Sequence, residues 1–156
     1  MQHDSEGRDK SQFNDDAYVR CVRGSNILRK GSFSRNNSSK TVTDSTTQLM
    51  WSDSSHGLAN IADALETCSS LTLAGFSNWR LANINELASL VMRKQSFGGT
   101  WDDTFTSDLS STRLLSSTQT GSGAPHYWFV NGQNGYVSKD INAENTTFSF
   151  KCVRDN

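Results

Sequence analysis

The sequence lacks long apolar runs and has no surplus of charge of either sign. No run in its 156 residues approaches the ~18 to 20 apolar residues of a membrane-spanning helix, so no such helix is expected. Lys and Arg number 15 against 16 Asp and Glu, so bulk charge gives no basis for a polyanion-coating role. Hydrophobic residues are only 34%, but four Trp, eight Phe and three Tyr supply large apolar rings. We expect one small domain with an aromatic core.

Cysteine is also scarce. Cys21, Cys68 and Cys152 are too few and too widely spaced for a zinc ribbon or a CxxC redox motif. In an oxidising compartment two of them can pair, which leaves one over. No signal peptide is visible in the polar start MQHDSEGRDK, so we expect any export signal to lie outside this sequence.

Motifs for catalysis are missing. The sequence has no HExxH, GxSxG, phosphate-binding glycine loop or His/Cys cluster, and His3, His56 and His126 lie in polar segments. We therefore predict no enzyme activity and no cofactor.

An oxygen-rich run is the one candidate for a metal site, as its side chains are of the type that binds calcium. A solvated loop is the favoured interpretation of this run, because EF-hand spacing is absent, and no metal site is predicted. The run comprises Asp102, Asp103, Thr104, Thr106 and Asp108.

The two ends of the sequence resemble each other. Residues 10–23 read KSQFNDDAYVRCVR and residues 139–154 read KDINAENTTFSFKCVR, and both end in Cys-Val-Arg after alternating apolar residues. We interpret residues 1–24 as the tail of a preceding repeat or an extra strand, residues 25–32 as a linker, and residues 33–156 as the domain. The alternative is a coincidence between two β-strands.

Periodicity predicts both helices and strands. Asn83 and Glu86 have capping-box spacing at the start of a second helix, whose buried face is predicted to comprise Ile84, Leu87, Leu90 and Val91. Residues 95–112 are expected to form an irregular loop. A hairpin is predicted over 41–53 and short strands over 79–81, 114–118, 127–130, 136–141 and 148–154. A first helix is predicted over 58–71 with an apolar stripe of Leu58, Ile61, Ala62, Leu65, Cys68 and Leu71.

Taken in order, these motifs resemble the Lcl C-terminal domain family, named for the end of a bacterial collagen-like adhesin. The resemblance covers nearly all of residues 33–154, although Ala82 stands where the family commonly has proline and residues 114–118 read Leu-Leu-Ser-Ser-Thr in place of Tyr-Trp-Ser-Ser-Thr. The matching segments are TVTDSTTQLMW (41–51), ALETCSSL (64–71), GFSNWRLANINELASLV (75–91), LLSSTQT (114–120), YWFVNGQNGYV (127–137) and FSFKCVR (148–154).

The resemblance implies an α+β, C-type-lectin-like fold, with two helices packed on small antiparallel sheets and much irregular loop. It also implies a disulfide between the first helix and the last strand, Cys68 to Cys152, which leaves Cys21 over. Both cysteines lie at positions that are expected to face the core.

The charges are unevenly distributed. Residues 17–43 contain six basic side chains and no acidic one, whereas residues 44–108 contain eight acidic and three basic ones. A basic patch of this kind can bind sulfated or phosphorylated polyanions through bidentate arginine contacts, although an ordinary solvated linker is the alternative. The predicted ligand-binding residues are Arg20, Arg23, Arg29, Lys30, Arg35 and Lys40, together with Lys151, Arg154 and Trp101.

Trp101 is included because it is the ring most expected to be exposed among Trp101, Tyr127, Trp128 and Tyr136, whose main role is expected to be packing. Nucleic acid is not expected as a partner, since residues 24–43 offer only Phe33 for stacking.

The sequence and the resemblance together favour a non-catalytic adhesion or polysaccharide-binding module, outside the cell or on a bacterial cell surface. Sulfated glycans, such as host or matrix glycans, are the leading ligand class. The alternative is a structural repeat or oligomerisation module of a surface protein without a ligand of its own. One form of this alternative is a homo-oligomer.

Overall fold

The described part of the chain forms an α+β structure with two helices and two five-stranded sheets. A computed structural model describes residues 32–93, 99–101, 104–105, 113–121, 126–132, 135–139 and 143–156, and for residues 91–93 and 99–101 it describes the backbone alone. The predicted tail over residues 1–24, with Cys21, and the predicted linker over 25–32 up to residue 31 lie outside the described residues.

The first sheet has the strand order β1-β2-β3-β12-β5. The hairpin predicted over 41–53 is confirmed, because β2 and β3 pair antiparallel. One row of residues across three adjacent strands is completely buried and belongs to one core cluster. It comprises Val42, Trp51 and Val153, which lie opposite one another. The strands are β1 (Phe33–Asn36), β2 (Thr41–Asp44), β3 (Leu49–Ser52), β5 (Arg80–Leu81) and β12 (Cys152–Asp155).

The second sheet has the order β10-β9-β8-β11-β4. Its pairs are antiparallel except for the parallel pair of β11 and β8. A separate two-stranded ribbon joins β6 (Val91–Arg93) to β7 (Gly99–Trp101), so the segment predicted as wholly irregular over 95–112 contains a strand. The strands of the second sheet are β4 (His56–Ala59), β8 (Arg113–Gln119), β9 (Tyr127–Asn131), β10 (Val137–Lys139) and β11 (Phe148–Phe150).

The end of the chain crosses from one sheet to the other. The prediction of a single closing strand over 148–154 is wrong, because β11 lies in the second sheet and β12 in the first. Lys151 stands at the break and is completely buried, with its Nζ atom donating to the backbone oxygens of Ser52 at 3.1 Å and Asp53 at 2.9 Å. The crossing segment therefore ties both sheets together.

The first helix, α1 (Ile61–Ser70), is shorter than predicted. Asn60 follows β4 directly and caps the helix, since its side-chain oxygen accepts from the backbone N–H of Asp63. The buried face is Ile61, Ala64 and Cys68, at i, i+3 and i+7.

The wider apolar stripe predicted for this helix is wrong. Leu58 lies in β4 and is 72% exposed, and Ala62 and Leu65 are exposed on the outer face of α1. The Asn60 cap starts the helix after Leu58, which removes that residue from the helical face.

Cys68 and Cys152 form the disulfide that the resemblance implies. Their sulfur atoms are 2.01 Å apart, and the bond joins α1 to β12 across a sequence separation of 84 residues. Both cysteines are completely buried in the second core cluster, beside Leu81 and Leu115.

The second helix, α2 (Ile84–Ser89), has the predicted capping box. The Asn83 side chain accepts from the Glu86 backbone N–H at 3.0 Å, and a Glu86 carboxylate oxygen accepts from the Asn83 N–H at 2.8 Å. Leu87 and Leu90 are buried as predicted, and Ile84 is partly buried. For Val91 the structure describes the backbone alone, so its predicted burial is not tested.

Candidate functional site

Four of the predicted binding residues can be placed by their side chains: Arg35, Lys40, Lys151 and Arg154. The remaining positions, Arg20, Arg23, Arg29, Lys30 and the side chain of Trp101, lie outside the described part of the chain. So do Asp102, Asp103, Thr106 and Asp108 of the oxygen-rich run.

Arg35 forms an ion pair that links an edge strand to the core. Its Nε atom lies 2.9 Å from Oδ2 of Asp53, a carboxylate only 1% exposed. Since β1 is the outer strand of the first sheet, this pair anchors the edge to the end of β3. Most of the charge of Arg35 is thus balanced within the protein.

Lys40 is exposed in the turn between β1 and β2. Its φ angle of 56° is left-handed, and the turn is held by Asn36, whose side-chain oxygen accepts from the backbone N–H groups of Ser38 and Ser39. The ammonium group of Lys40 is therefore presented from a structured turn.

Lys151 does not belong to a surface patch. Its ammonium nitrogen lies 4.4 Å from the ring centroid of Phe105, in addition to its two bonds to backbone oxygens. Burial lowers the pKa of Lys151 from its ordinary 10.5 to about 7, against an opposing effect of the Asp53 carboxylate. This lysine is a core residue, and a glycan cannot reach it in this structure.

Arg154 is placed differently, at the surface of β12. Its guanidinium carbon lies 3.8 Å from the ring centroid of Phe76, a stacked cation–π contact. Its Nε atom donates to Oδ1 of Asn78 at 2.9 Å, and Nη1 lies 3.9 Å from the sulfur of Met50. Among the described residues no protein group accepts a hydrogen bond from Nη2, so its N–H groups can donate to a ligand. We call Arg154, Phe76 and Asn78 the arginine platform.

A tight turn after α1 positions the aromatic part of the platform. Leu73 and Phe76 exchange two backbone hydrogen bonds of 3.0 Å around Ala74 and Gly75, whose φ angles of 57° and 80° are both left-handed. The indole N–H of Trp79 donates to the backbone oxygen of Phe76 at 3.1 Å. Phe76 is 38% exposed, and its backbone is held on both sides by these hydrogen bonds.

Sequence reasoning missed Phe76 and Asn78. Both lie in the segment GFSNWRL, from which a strand and a helix start were predicted, and they are more than 70 residues from Arg154. The one local signal was the residue pair Ala74-Gly75, which marks a turn that can present the side chain after it.

The neighbouring cation Arg80 is neutralised. Its two terminal nitrogens bond both carboxylate oxygens of Glu86 at 2.8 and 2.7 Å, and Nη2 also lies 3.5 Å from Asp155. The hydrogen bond to Glu86 contributes most to raising the pKa of Arg80, and the charges of Glu86 and Asp155 act in the same direction.

Of the four predicted cations with described side chains, Arg35 is paired and Lys151 is buried, so Lys40 and Arg154 remain for an anionic ligand.

The described aromatic side chains do not form one sugar platform. Tyr136, expected to pack, is 65% exposed, whereas Tyr127 and Trp128 are partly buried. The ring of His56 stacks on that of Phe150, with the two centroids 5.1 Å apart. Burial is the main cause that lowers the pKa of His56, and the positive charge of Lys151 lowers it further. Within the described ranges no three His, Cys, Asp or Glu side chains are grouped to hold a metal ion.

In the described part of the chain no helix is both long and apolar enough to cross a membrane. No curated protein matches the sequence, and no solved structure matches it. A family model, that of the Lcl C-terminal domain, matches residues 40–154. The match includes the hairpin, both helices and the disulfide, and it covers well over half of the 156 residues. The chain belongs to the Lcl C-terminal domain family.

Proposed function

We propose that the protein is a non-catalytic, surface-exposed adhesion module that binds polysaccharides, with sulfated glycans as the preferred ligands. The observation that carries this proposal is the arginine platform: a surface guanidinium fixed on an exposed ring by neutral partners, with Nη2 unbonded among the described residues. The resemblance implies the same class of ligand, because the adhesin for which the family is named binds sulfated glycosaminoglycans.

The geometry suits a sulfated sugar. A guanidinium binds oxyanions through charge-assisted hydrogen bonds, and one that is already held in place loses less side-chain entropy on binding. The exposed part of the Phe76 ring offers an apolar surface for the C–H groups of a sugar, which neutral and sulfated glycans share. Specificity for sulfate would then come from Arg154.

Lys40 can extend the contact along a polyanion. Arg154 in β12 lies opposite Met50 in β3, and Met50 lies opposite Thr43 in β2. Lys40 comes directly before β2, so the two cations are two strands apart. Strand spacing and rise place the two Cα atoms roughly 14 Å apart. A ligand bound at Arg154 would have to span about this distance to contact Lys40 as well.

We further infer that the fold is C-type-lectin-like and that the protein works outside the cell or on a bacterial cell surface. The disulfide from α1 to β12 supports both inferences, since it matches the bond that the resemblance implies and since structural disulfides persist in oxidising compartments.

The test is direct binding of the protein to heparin and to a neutral glycan of similar length, at roughly 50 and 200 mM salt. We expect binding to heparin that weakens several-fold at the higher salt, because screening shortens the range of surface charges. Absence of salt-sensitive binding to any sulfated glycan would contradict the proposal.

Two matched variants locate the binding. Arg154→Ala should weaken heparin affinity about tenfold, the loss expected for one hydrogen-bonded charged contact, with Arg154→Lys intermediate. Lys139→Ala removes an exposed cation from the edge of the other sheet and should change affinity less than about twofold. Equal losses for Arg154→Ala and Lys139→Ala would point to non-specific attraction.

The alternative function is a structural repeat or oligomerisation module, which is favoured by the duplicated Cys-Val-Arg segment. Light scattering coupled to size exclusion distinguishes it. A stable oligomer that is lost on deletion of residues 1–24, without binding to any glycan, would favour this alternative.

A further inference from the structure

β4 lies at the edge of the second sheet and has little side-chain contact with the rest of the molecule. None of its four residues is fully buried: Gly57 and Leu58 are exposed, and His56 and Ala59 are half-buried. Among the described strands β4 pairs with β11 alone, and the register between the two strands is irregular. The attachment of β4 therefore depends mainly on His56, which stacks on β11, and Ala59, which packs against the second core cluster.

His56 attaches β4 through its aromatic ring. The ring lies on that of Phe150 in β11, with the two planes at 17° and the centroids 5.1 Å apart. The Nε2 atom of His56 is buried, and among the described residues it has no hydrogen-bond partner. Protonation of the ring would therefore bury a charged N–H group without an acceptor, which costs more than leaving a neutral nitrogen unpaired.

The nearest cation also disfavours protonation of His56. Burial lowers the pKa of His56 most, and the charge of Lys151, which directly follows Phe150 in the sequence, lowers it further. Both effects favour the neutral ring, which is the form that suits the stack.

The carboxylates around β4 are engaged elsewhere or exposed. β4 packs against β11, which has no charged residue, and against α1, whose Asp63 and Glu66 lie on its exposed side. Asp53, on the connection from β3, is paired with Arg35. Burial and the charge of Lys151 are thus the causes that set the charge of His56.

We propose that β4 is an acid-released edge strand: protonation of His56 breaks its stack on Phe150, and β4 separates from β11 while the first sheet stays closed. The disulfide keeps the movement local, because Cys68, near the end of α1, remains bonded to β12 when the start of the helix moves with β4. Separation exposes the edge of β11 and the ring of Phe148, which is only 2% exposed when β4 is in place. The proposal is independent of glycan binding, since Arg154 lies on the first sheet.

The separated state is favoured as the pH falls. In that state His56 is solvated and has its ordinary pKa of 6.5, whereas its pKa is lower while β4 is in place. The separated state therefore binds more protons below pH 6.5. The equilibrium constant for opening then rises as the pH falls, by at most about tenfold per pH unit, and it is independent of His56 above pH 6.5.

Amide hydrogen exchange of the full chain, followed by NMR at pH 7 and pH 5, measures this opening. Protection factors are used because they remove the pH dependence of the intrinsic exchange rate. We expect protection of the β4–β11 ladder to fall by at least about threefold at pH 5, and to be insensitive there to about 1 M urea, as local opening exposes little surface. Amides of the β2–β3 hairpin should lose protection in the same urea.

Three variants assign the effect to His56. His56→Phe keeps the stack and cannot be protonated, so its ladder should have the same protection at both pH values. His56→Gln does not titrate either and covers the case in which a second phenylalanine does not fit. His126→Gln removes a histidine outside β4 and should retain the full loss of protection at pH 5.

Three results would overturn the proposal. One is unchanged protection of the β4–β11 ladder in the wild type between pH 7 and pH 5. The second is an equal loss in His56→Phe or His56→Gln. The third is a loss that urea enhances as strongly in this ladder as in the β2–β3 hairpin, which would mean that acid unfolds the whole domain.

Discussion

At the scale of single residues, Lys151 is a buried cation with three defined contacts. It holds a positive charge in the core against two backbone oxygens and the ring of Phe105, and it lies at the point where the chain changes sheets. The neighbouring carboxylate of Asp53 is itself paired with Arg35. The buried charge therefore costs desolvation energy, which its partners offset only in part.

This arrangement predicts a stability that rises with pH. The pKa of Lys151 is about 7 in the folded protein and 10.5 when solvated, so between these values the unfolded state binds more protons. The free energy of unfolding should then rise by about 1 kcal/mol per pH unit from pH 7 towards pH 10. The lowered pKa of His56 acts in the same direction below pH 6.5. Urea denaturation at successive pH values measures this slope.

Lys151→Met is the matched control for that measurement. It keeps the length of the side chain and removes its titration, so the rise above pH 7 should disappear. The charge of Lys151 also lowers the pKa of His56, but that group titrates below pH 6.5, outside the compared range of pH 7 to 10. Parallel pH profiles for the wild type and Lys151→Met would show that the charge of Lys151 is not what governs alkaline stability.

At the scale of elements, α2 depends on its first turn. The helix has six residues, too few to be stable alone, and Glu86 serves twice, in the capping box and as partner of Arg80. This double use fixes α2 against β5, which in turn pairs with β12. The helix cap therefore supports β12, the strand that contributes Arg154 to the arginine platform.

Asn83→Ala should lower the free energy of unfolding by about 1 kcal/mol, because the N–H of Glu86 loses its acceptor. Asn83→Asp retains an acceptor at the same position and should remain within about 0.5 kcal/mol of the wild type. Chemical denaturation of the three proteins measures the difference. If alanine and aspartate had the same effect, the cap would be irrelevant to stability.

Most individual elements could be predicted from the sequence, because their signals are local. The alternation of 41–53 and the Asn83–Glu86 spacing lie within a few residues of the structures they specify. The start of α1 was missed because the Asn60 cap decides it, whereas the apolar pattern continues back to Leu58.

The break at Lys151 and the contact of Arg154 with Phe76 could not be predicted, since both depend on residues far apart in the sequence. A cation beside a cysteine is typical of a surface strand as well as of a core position. Only the crossing of the chain between sheets shows that Lys151 is buried while Arg154, three residues on, remains at the surface.

At the scale of the whole molecule, the closing segment holds the fold together. Residues 148–155 contribute one strand to each five-stranded sheet, and the disulfide fixes the same segment to α1. Loss of this segment would open both sheets at once. The segment that presents Arg154 is therefore attached to both sheets and, through the disulfide, to α1.

Removing the disulfide should destabilise the protein strongly. For the 84-residue separation, Cys68→Ser combined with Cys152→Ser should cost about 4.5 kcal/mol of unfolding free energy in the chain-entropy model. Cys21→Ser should change it by less than about 0.5 kcal/mol, since it leaves the bond between Cys68 and Cys152 intact. Urea unfolding measures both, and a double variant as stable as the wild type would contradict the anchoring role.

The most direct test of the proposed function is a titration of the ¹⁵N-labelled protein with a heparin hexasaccharide, followed by NMR. We expect the largest chemical-shift changes at the Nε–H of Arg154 and at the amides of Phe76 and Asn78, with smaller changes at Lys40. Shift changes centred on the β10 edge around Lys139, or none at millimolar ligand, would contradict the account.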